Sequence, residues 1–138
     1  MTDTFIPPIP STEDVRIPRE ALELLALVDL TRTGRRVLDI LMSQAEHGTG
    51  VAQITQREMT KLLGASLPAV NRGFREIRKT NLAWPVADGR YQLHPLLTGG
   101  ATESLTAVPE IKGTDPSHFA ELRRQRYTVQ SASLSRSA

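Results

Sequence analysis

The side chains of Asn71, Arg72, Arg75 and Lys79 are the ones in this sequence whose types and spacing most openly carry chemistry. A guanidinium makes paired hydrogen bonds to phosphate or to the outer edge of guanine, and a carboxamide makes the matching pair to adenine. Val70, Phe74 and Ile77 share the segment, at the spacing of one buried helical stripe. At about 100° per residue, Arg75, Pro68, Lys79 and Arg72 fall at roughly 140° to 200° from Val70. Asn71 and Arg78 flank that sector at about 100° and about 80°. A helix from Leu67 to Thr80 thus turns an apolar face inward and a basic face outward. The expected partner of such a face is a polyanion, and the bland alternative is a solvated surface.

Catalysis and metal binding find no comparable set. Cysteine is absent, which removes disulfides, thiolate metal sites and cysteine nucleophiles. His47, His94 and His118 are scattered, with no acid or cysteine at ligand spacing. No nucleophile–base pair, paired carboxylates or phosphate loop can be found. The expectation is a binding protein, not an enzyme, with no cofactor and no metal.

The elements that must position the basic helix are legible around it. Thr55-Gln56-Arg57-Glu58 fits a capping box that opens a helix. Met59, Leu62 and Leu63 are its expected buried side, and Gly64 suits its end. Ser66 is a good N-cap for the following helix, and Pro68 falls harmlessly in its first turn. Leu82 to Val86 reads as a strand, Ala87-Asp88-Gly89 as a tight turn, and Arg90 to Leu93 as the returning strand. Pro85 demotes the first strand to an edge or a bulge. Trp84 is expected to pack beneath this hairpin.

Upstream, Val37, Leu38, Leu41, Met42 and Ala45 form one helical stripe, ended by His47-Gly48-Thr49-Gly50. Val51 to Ile54 is a short β-type run. Arg19 to Leu30 reads as a further helix, broken from the next by Thr33-Gly34. That helix is apolar around most of its surface, so it is either deeply packed or half of a dimer contact. Residues 1–18 read as a mobile proline-rich arm, and residues 19–97 as the folded domain. Residues 98–138 read as a linker from Gly99-Gly100, a short basic helix from Asp115 to Arg126, and a disordered serine-rich tail.

With 138 residues the chain is about one domain. Its net charge of +2 hides an uneven distribution. Residues 1–30 carry two bases against six acids, and residues 55–95 carry seven bases against three acids. An acidic start and a basic middle and tail point the middle towards a polyanion. Arg123, Arg124 and Arg126 lie in that tail and read mainly as a solvated basic run. No run approaches the ~18 apolar residues of a membrane span, and the first ten residues lack the pattern of a signal peptide. The expected compartment is the cytoplasm.

The segment Ile54 to Ile77 has the spacing of a helix-turn-helix, and with the hairpin behind it the chain resembles winged helix-turn-helix DNA-binding proteins. The likeness covers roughly residues 35–97. Gly64-x-Ser66-x-x-x-Val70-x-Arg72 is similar to the turn and recognition helix of bacterial winged-helix regulators. A closer likeness is to the RepL-like plasmid replication proteins, through the leucine-rich helix at Leu22 to Leu30 and the run Gly89-Arg90-Tyr91-Gln92-Leu93-His94-Pro95-Leu96-Leu97. Two departures stand out: Leu67, Pro68 and Ala69 replace polar residues usual after the cap, and His94 replaces an Asn.

The expected fold is therefore mainly α with a small β-hairpin: a winged helix-turn-helix with an extra N-terminal helix. The expected function is sequence-specific binding of double-stranded DNA, as a transcription regulator or a plasmid-type replication initiator. A winged-helix protein-interaction module is the alternative from another class. Ser66, Leu67, Pro68, Asn71, Arg72, Arg75 and Lys79 are the expected contacts from the second helix. Thr55, Gln56 and Arg57 would meet phosphate at the first helix, and Arg90 would do so from the wing. A homodimer through residues 19–30 would place two such helices on a two-fold site.

Overall fold

The computed structural model describes residues 14–103 and 107–112. The expectations for residues 1–13, for the helix from Asp115 to Arg126 and for the serine-rich tail lie outside the described residues. Four helices, α1 (Arg19–Leu27), α2 (Arg32–Gln44), α3 (Gln56–Leu63) and α4 (Leu67–Lys79), pack with three strands, β1 (Val51–Gln53), β2 (Ala83–Ala87) and β3 (Arg90–Leu93). A 3-10 turn follows at Pro95–Leu97. The class is mainly helical with a small antiparallel sheet. Among the described residues no helix is long and apolar enough to cross a membrane.

The N-terminal helix ends earlier than its composition suggests. Val28 is already extended, and Thr31 caps α2 by accepting a hydrogen bond from the Gly34 N–H at 3.1 Å. Thr33-Gly34 is therefore no break; it lies in the first turn of α2. The apolar surface of α1 is spent on the core: Ala21, Leu24, Leu25 and Leu27 are buried. Leu22 is 50% exposed, the one large apolar side chain of α1 left to solvent. Of the two outcomes expected for this helix, the described chain shows the deep packing.

The core is continuous. Val37, Leu38 and Leu41 from α2 meet Met59, Val70, Phe74 and Ile77, with Leu82 and Leu93 closing the sheet side. Leu62 departs from expectation: it is 57% exposed, because Met59 and the half-buried Leu63 already fill the inward face of α3. Gly73 is buried where α4 crosses α2. A β-carbon there would lie 3.1 Å from the Gly34 Cα and 3.3 Å from the Gly34 N. The two glycines let the helix backbones approach more closely than side chains would allow.

The expected hairpin is one part of a three-stranded sheet of order β1-β3-β2. The Val51 run supplies the third strand, pairing Val51 with Gln92 and Gln53 with Arg90. Pro85 does lie on an edge strand, and the register shifts between Pro85 and Ala87. A residue without an N–H is tolerated there because no further strand among the described residues pairs with it. Trp84 is partly exposed and meets the His94 ring edge-on, with centroids 6.5 Å apart.

The segment expected as a linker packs back onto the fold. Ile111 is 5% exposed within the core. The Lys112 N–H donates to the Thr80 carbonyl at 2.9 Å, and the Asn81 amide donates to the Glu110 carbonyl at 2.8 Å. His94 ties this return in place. Its Nδ1 accepts from the Leu96 N–H at 3.1 Å, so Nε2 carries the proton and donates to the Pro109 carbonyl at 2.8 Å. Burial pushes its pKa below the ordinary 6.5, partly opposed by that carbonyl. A second ring proton would also break the bond from Leu96.

Two outcomes are expected. Gly73→Ala should lower folding stability by about 1 kcal/mol, since the crowding against α2 outweighs the ordinary helix preference for Ala. A raised unfolding midpoint would overturn the close-crossing account. The His94 contribution is full above the unfolded-state pKa and declines as the pH falls below it, because the unfolded chain then binds the proton more readily. Denaturant titrations near neutrality and near about pH 5 should show that decline, and His94→Asn should reduce it.

Candidate nucleic-acid interface

The start of α3 is fixed by its own side chains. The Thr55 hydroxyl accepts from the Glu58 N–H at 3.1 Å, and the Glu58 carboxylate accepts from the Thr55 N–H at 3.2 Å. The N–H groups of Gln56 and Arg57 have no acceptor within the helix. Gly64 closes α3 at φ 62°, a left-handed conformation that costs glycine little. The Ser66 hydroxyl then accepts from the Ala69 N–H at 3.3 Å and opens α4. The hairpin turn is pinned beside this pair of helices by the Ile54 N–H, which donates to the Gly89 carbonyl at 2.9 Å.

Two adjoining clefts lie between these elements. One of about 320 Å³ is bounded by Thr55, Gln56, Arg57 and Leu67 on the helices and by Asp88 and Gly89 on the turn. The other, about 250 Å³, runs between α4 and the sheet, with Asn71, Arg75 and Arg78 on one wall and Pro85 on the other. Gln56 and Tyr91 line both. The Tyr91 ring packs on Phe74 with centroids 4.7 Å apart, so a core contact sets the cleft floor.

Six of the expected site residues therefore share one surface: Thr55, Gln56, Arg57, Leu67, Asn71 and Arg75. Ser66, Pro68 and Lys79 are exposed near it but line neither cleft. Arg72 leans to the other flank of α4, with its Nε 3.7 Å from Glu76 Oε1. Glu76 is itself held by the Thr31 hydroxyl, which donates to Oε2 at 2.8 Å. Arg90 is also placed away from the clefts. Successive strand residues face opposite sides, so Tyr91 and Leu93 face the helices while Arg90 and Gln92 face away. Its Nη2 lies 3.0 Å from Glu103 Oε2.

Arg78 and Tyr91 line the clefts and lie outside the expected set of contacts. Arg78 adds a cation to the wall, as its place on the helix beside Asn71 allowed. Tyr91 was legible only as an alternating strand residue; its part in both clefts depends on how the sheet docks. Arg57, Arg75 and Arg78 give the surface a cationic wall, with Asp88 as the acid on its rim. The arrangement offers guanidinium and carboxamide donors along a groove.

No family model, curated protein or solved structure matches this chain.

The caps separate structure from contact. Thr55→Ala and Ser66→Ala should each lower stability by about 1 kcal/mol with no ligand present, measured by thermal unfolding. An unchanged midpoint would show that these hydroxyls do not hold the helix starts, and would leave ligand contact as their role.

Proposed function

We propose that the protein binds double-stranded DNA sequence-specifically, as a winged helix-turn-helix in which α3 and α4 are the paired helices and β2–β3 the wing. The observation that carries this reading is the shared surface of Asn71, Arg75 and Arg78 on α4 with Gln56 and Arg57 at the start of α3. An outward helix face of this composition suits the major groove, where Arg pairs with guanine and Asn with adenine. The bases are exposed and the apolar side of the same helix is in the core, so the face is built to meet something charged. A protein-interaction module would present an apolar or acidic surface at this place.

The biological role we propose is transcription regulation within the cytoplasm. The binding unit is the single domain. Pairing through residues 19–30 has little apolar surface left to use, because Leu24, Leu25 and Leu27 are buried within the subunit. Among the basic residues of α4, base reading falls on Arg75 and not on Arg72, which is drawn towards Glu76.

Titration of duplex fragments from around the protein's own gene, against a scrambled duplex and at two salt concentrations, tests the reading. Wild type should prefer one fragment, with affinity falling steeply as salt rises. Arg75→Ala should remove most of that preference, at a cost of about 1–3 kcal/mol. Arg72→Ala should weaken all duplexes alike and by less. A promoter fragment as the preferred one supports a regulator; an origin fragment would replace it with an initiator. Absence of duplex binding at low salt would overturn the DNA reading.

A further inference from the structure

The wing arginine is already occupied. Arg90 Nη2 and Glu103 Oε2 are 3.0 Å apart, on the sheet face that turns away from α4. Glu103 does not reach that place by chance. Its backbone N–H donates to the Gln92 side-chain carbonyl at 2.9 Å. Gln92 is 1% exposed, and its amide donates to the carbonyls of Leu93 at 2.8 Å and Gly50 at 3.3 Å. Just upstream, the Thr98 hydroxyl donates to the Ala101 carbonyl at 2.6 Å and turns the chain back over the sheet. A buried amide on β3 thus sets an acid over the arginine two residues before it.

We propose that Glu103 is an intramolecular competitor for DNA phosphate at the wing, a latch that holds Arg90 away from the duplex until a phosphate displaces it. This rests on the DNA-binding reading above. A carboxylate oxygen and a phosphodiester oxygen are the same kind of acceptor for a guanidinium, so one can replace the other without a new type of bond. The two side chains of the pair are 37% and 39% exposed, which leaves the pair open to a competing anion and weakly held in water. The pair Arg72–Glu76 is different. Glu76 is 22% exposed and bonded to Thr31 as well, so it is fixed within the fold and does not exchange.

With the latch closed, the wing carries a neutral pair and Arg90 adds nothing to the basic surface. With it open, the long side chain at the start of β3 is free to swing towards the Asp88-Gly89 turn. Binding then costs the pair, and removing the acid removes that cost.

The test is a duplex titration with the full chain, using the preferred and the scrambled fragments at two salt concentrations. Glu103→Gln keeps the shape and removes the charge. It should tighten binding by roughly twofold to fivefold and steepen the salt dependence by up to about one unit of slope. In an Arg90→Ala background the same change should bring no gain. Glu110→Gln removes an equal charge from an exposed acid whose backbone carbonyl, bonded by Asn81, keeps its place in the fold. It should change affinity by less than about twofold. Glu103→Ala repeats the prediction with a second side chain, and unfolding curves confirm that each variant is folded.

An equal gain with and without Arg90 would reduce the effect to bulk charge and overturn the latch. So would no gain in either Glu103 variant while wild type binds normally; the DNA reading would survive both results. If wild type binds neither duplex at low salt, the DNA reading falls and the latch falls with it.

Discussion

The crossing of α2 over α4 at Gly34 and Gly73 is the contact from which most of the described structure follows. A β-carbon at Gly73 would press on the backbone of Gly34, so the helices meet at a distance only glycine permits. Closeness here brings Glu76 of α4 to the start of α2, where its carboxylate accepts from both the hydroxyl and the N–H of Thr31. Thr31 in turn caps α2 through Gly34. One helix therefore finishes the other. The rotation of α4 is fixed by this arrangement, and that rotation decides which basic residues face the clefts. Arg72, one turn before Glu76, is drawn to the α2 side, while Arg75 and Arg78 are left on the side of the sheet.

The sheet supplies the second constraint. β3 is its middle strand, and its alternation divides neighbouring residues between two environments. Tyr91 goes to the helices and shapes the cleft floor against Phe74. Arg90 goes to the far face and meets Glu103. The same alternation buries Gln92, whose amide then needs partners and finds them in Gly50, Leu93 and the Glu103 N–H. A buried polar group on one strand thus organises a stretch of chain that composition would leave as linker. His94 does the same for residues 107–112, because its buried ring must satisfy both nitrogens at once.

These constraints divide the candidate surface between parts that hold the fold and parts free to meet a ligand. Thr55 on the cleft wall and Ser66 near it use their hydroxyls to hold helix starts. Arg57, Arg75 and Arg78 are exposed, and their long side chains carry charge at the surface without leaving any of it in the core. Leu67 is an apolar point in an otherwise polar rim, suited to a methyl group and unable to donate a hydrogen bond. Under the proposed reading, discrimination rests on a few donors from the middle of α4, and the wing makes its charge available only when Glu103 lets go.

The local elements are legible in the sequence because their signals are local. The Thr55–Glu58 capping box, Gly64, Ser66 and the apolar stripe of Val70, Phe74 and Ile77 each act within a few residues, and each is found where expected. The edge position of Pro85 was legible for the same reason: a missing N–H is a property of one residue. The basic side of α4 was also legible, from periodicity alone. Leu62 was misplaced because a helix has only so much inward face, and packing decided which of two neighbouring leucines took it. The end of α1, the pairing of the Val51 run with β3 and the return of Ile111 to the core depended on partners far along the chain. Only the tertiary structure settled that Arg72 leans to Glu76 and Arg90 to Glu103, while Arg75 faces the cleft. Long arginine side chains of equal charge are indistinguishable until the fold places an acid, or open space, within their reach.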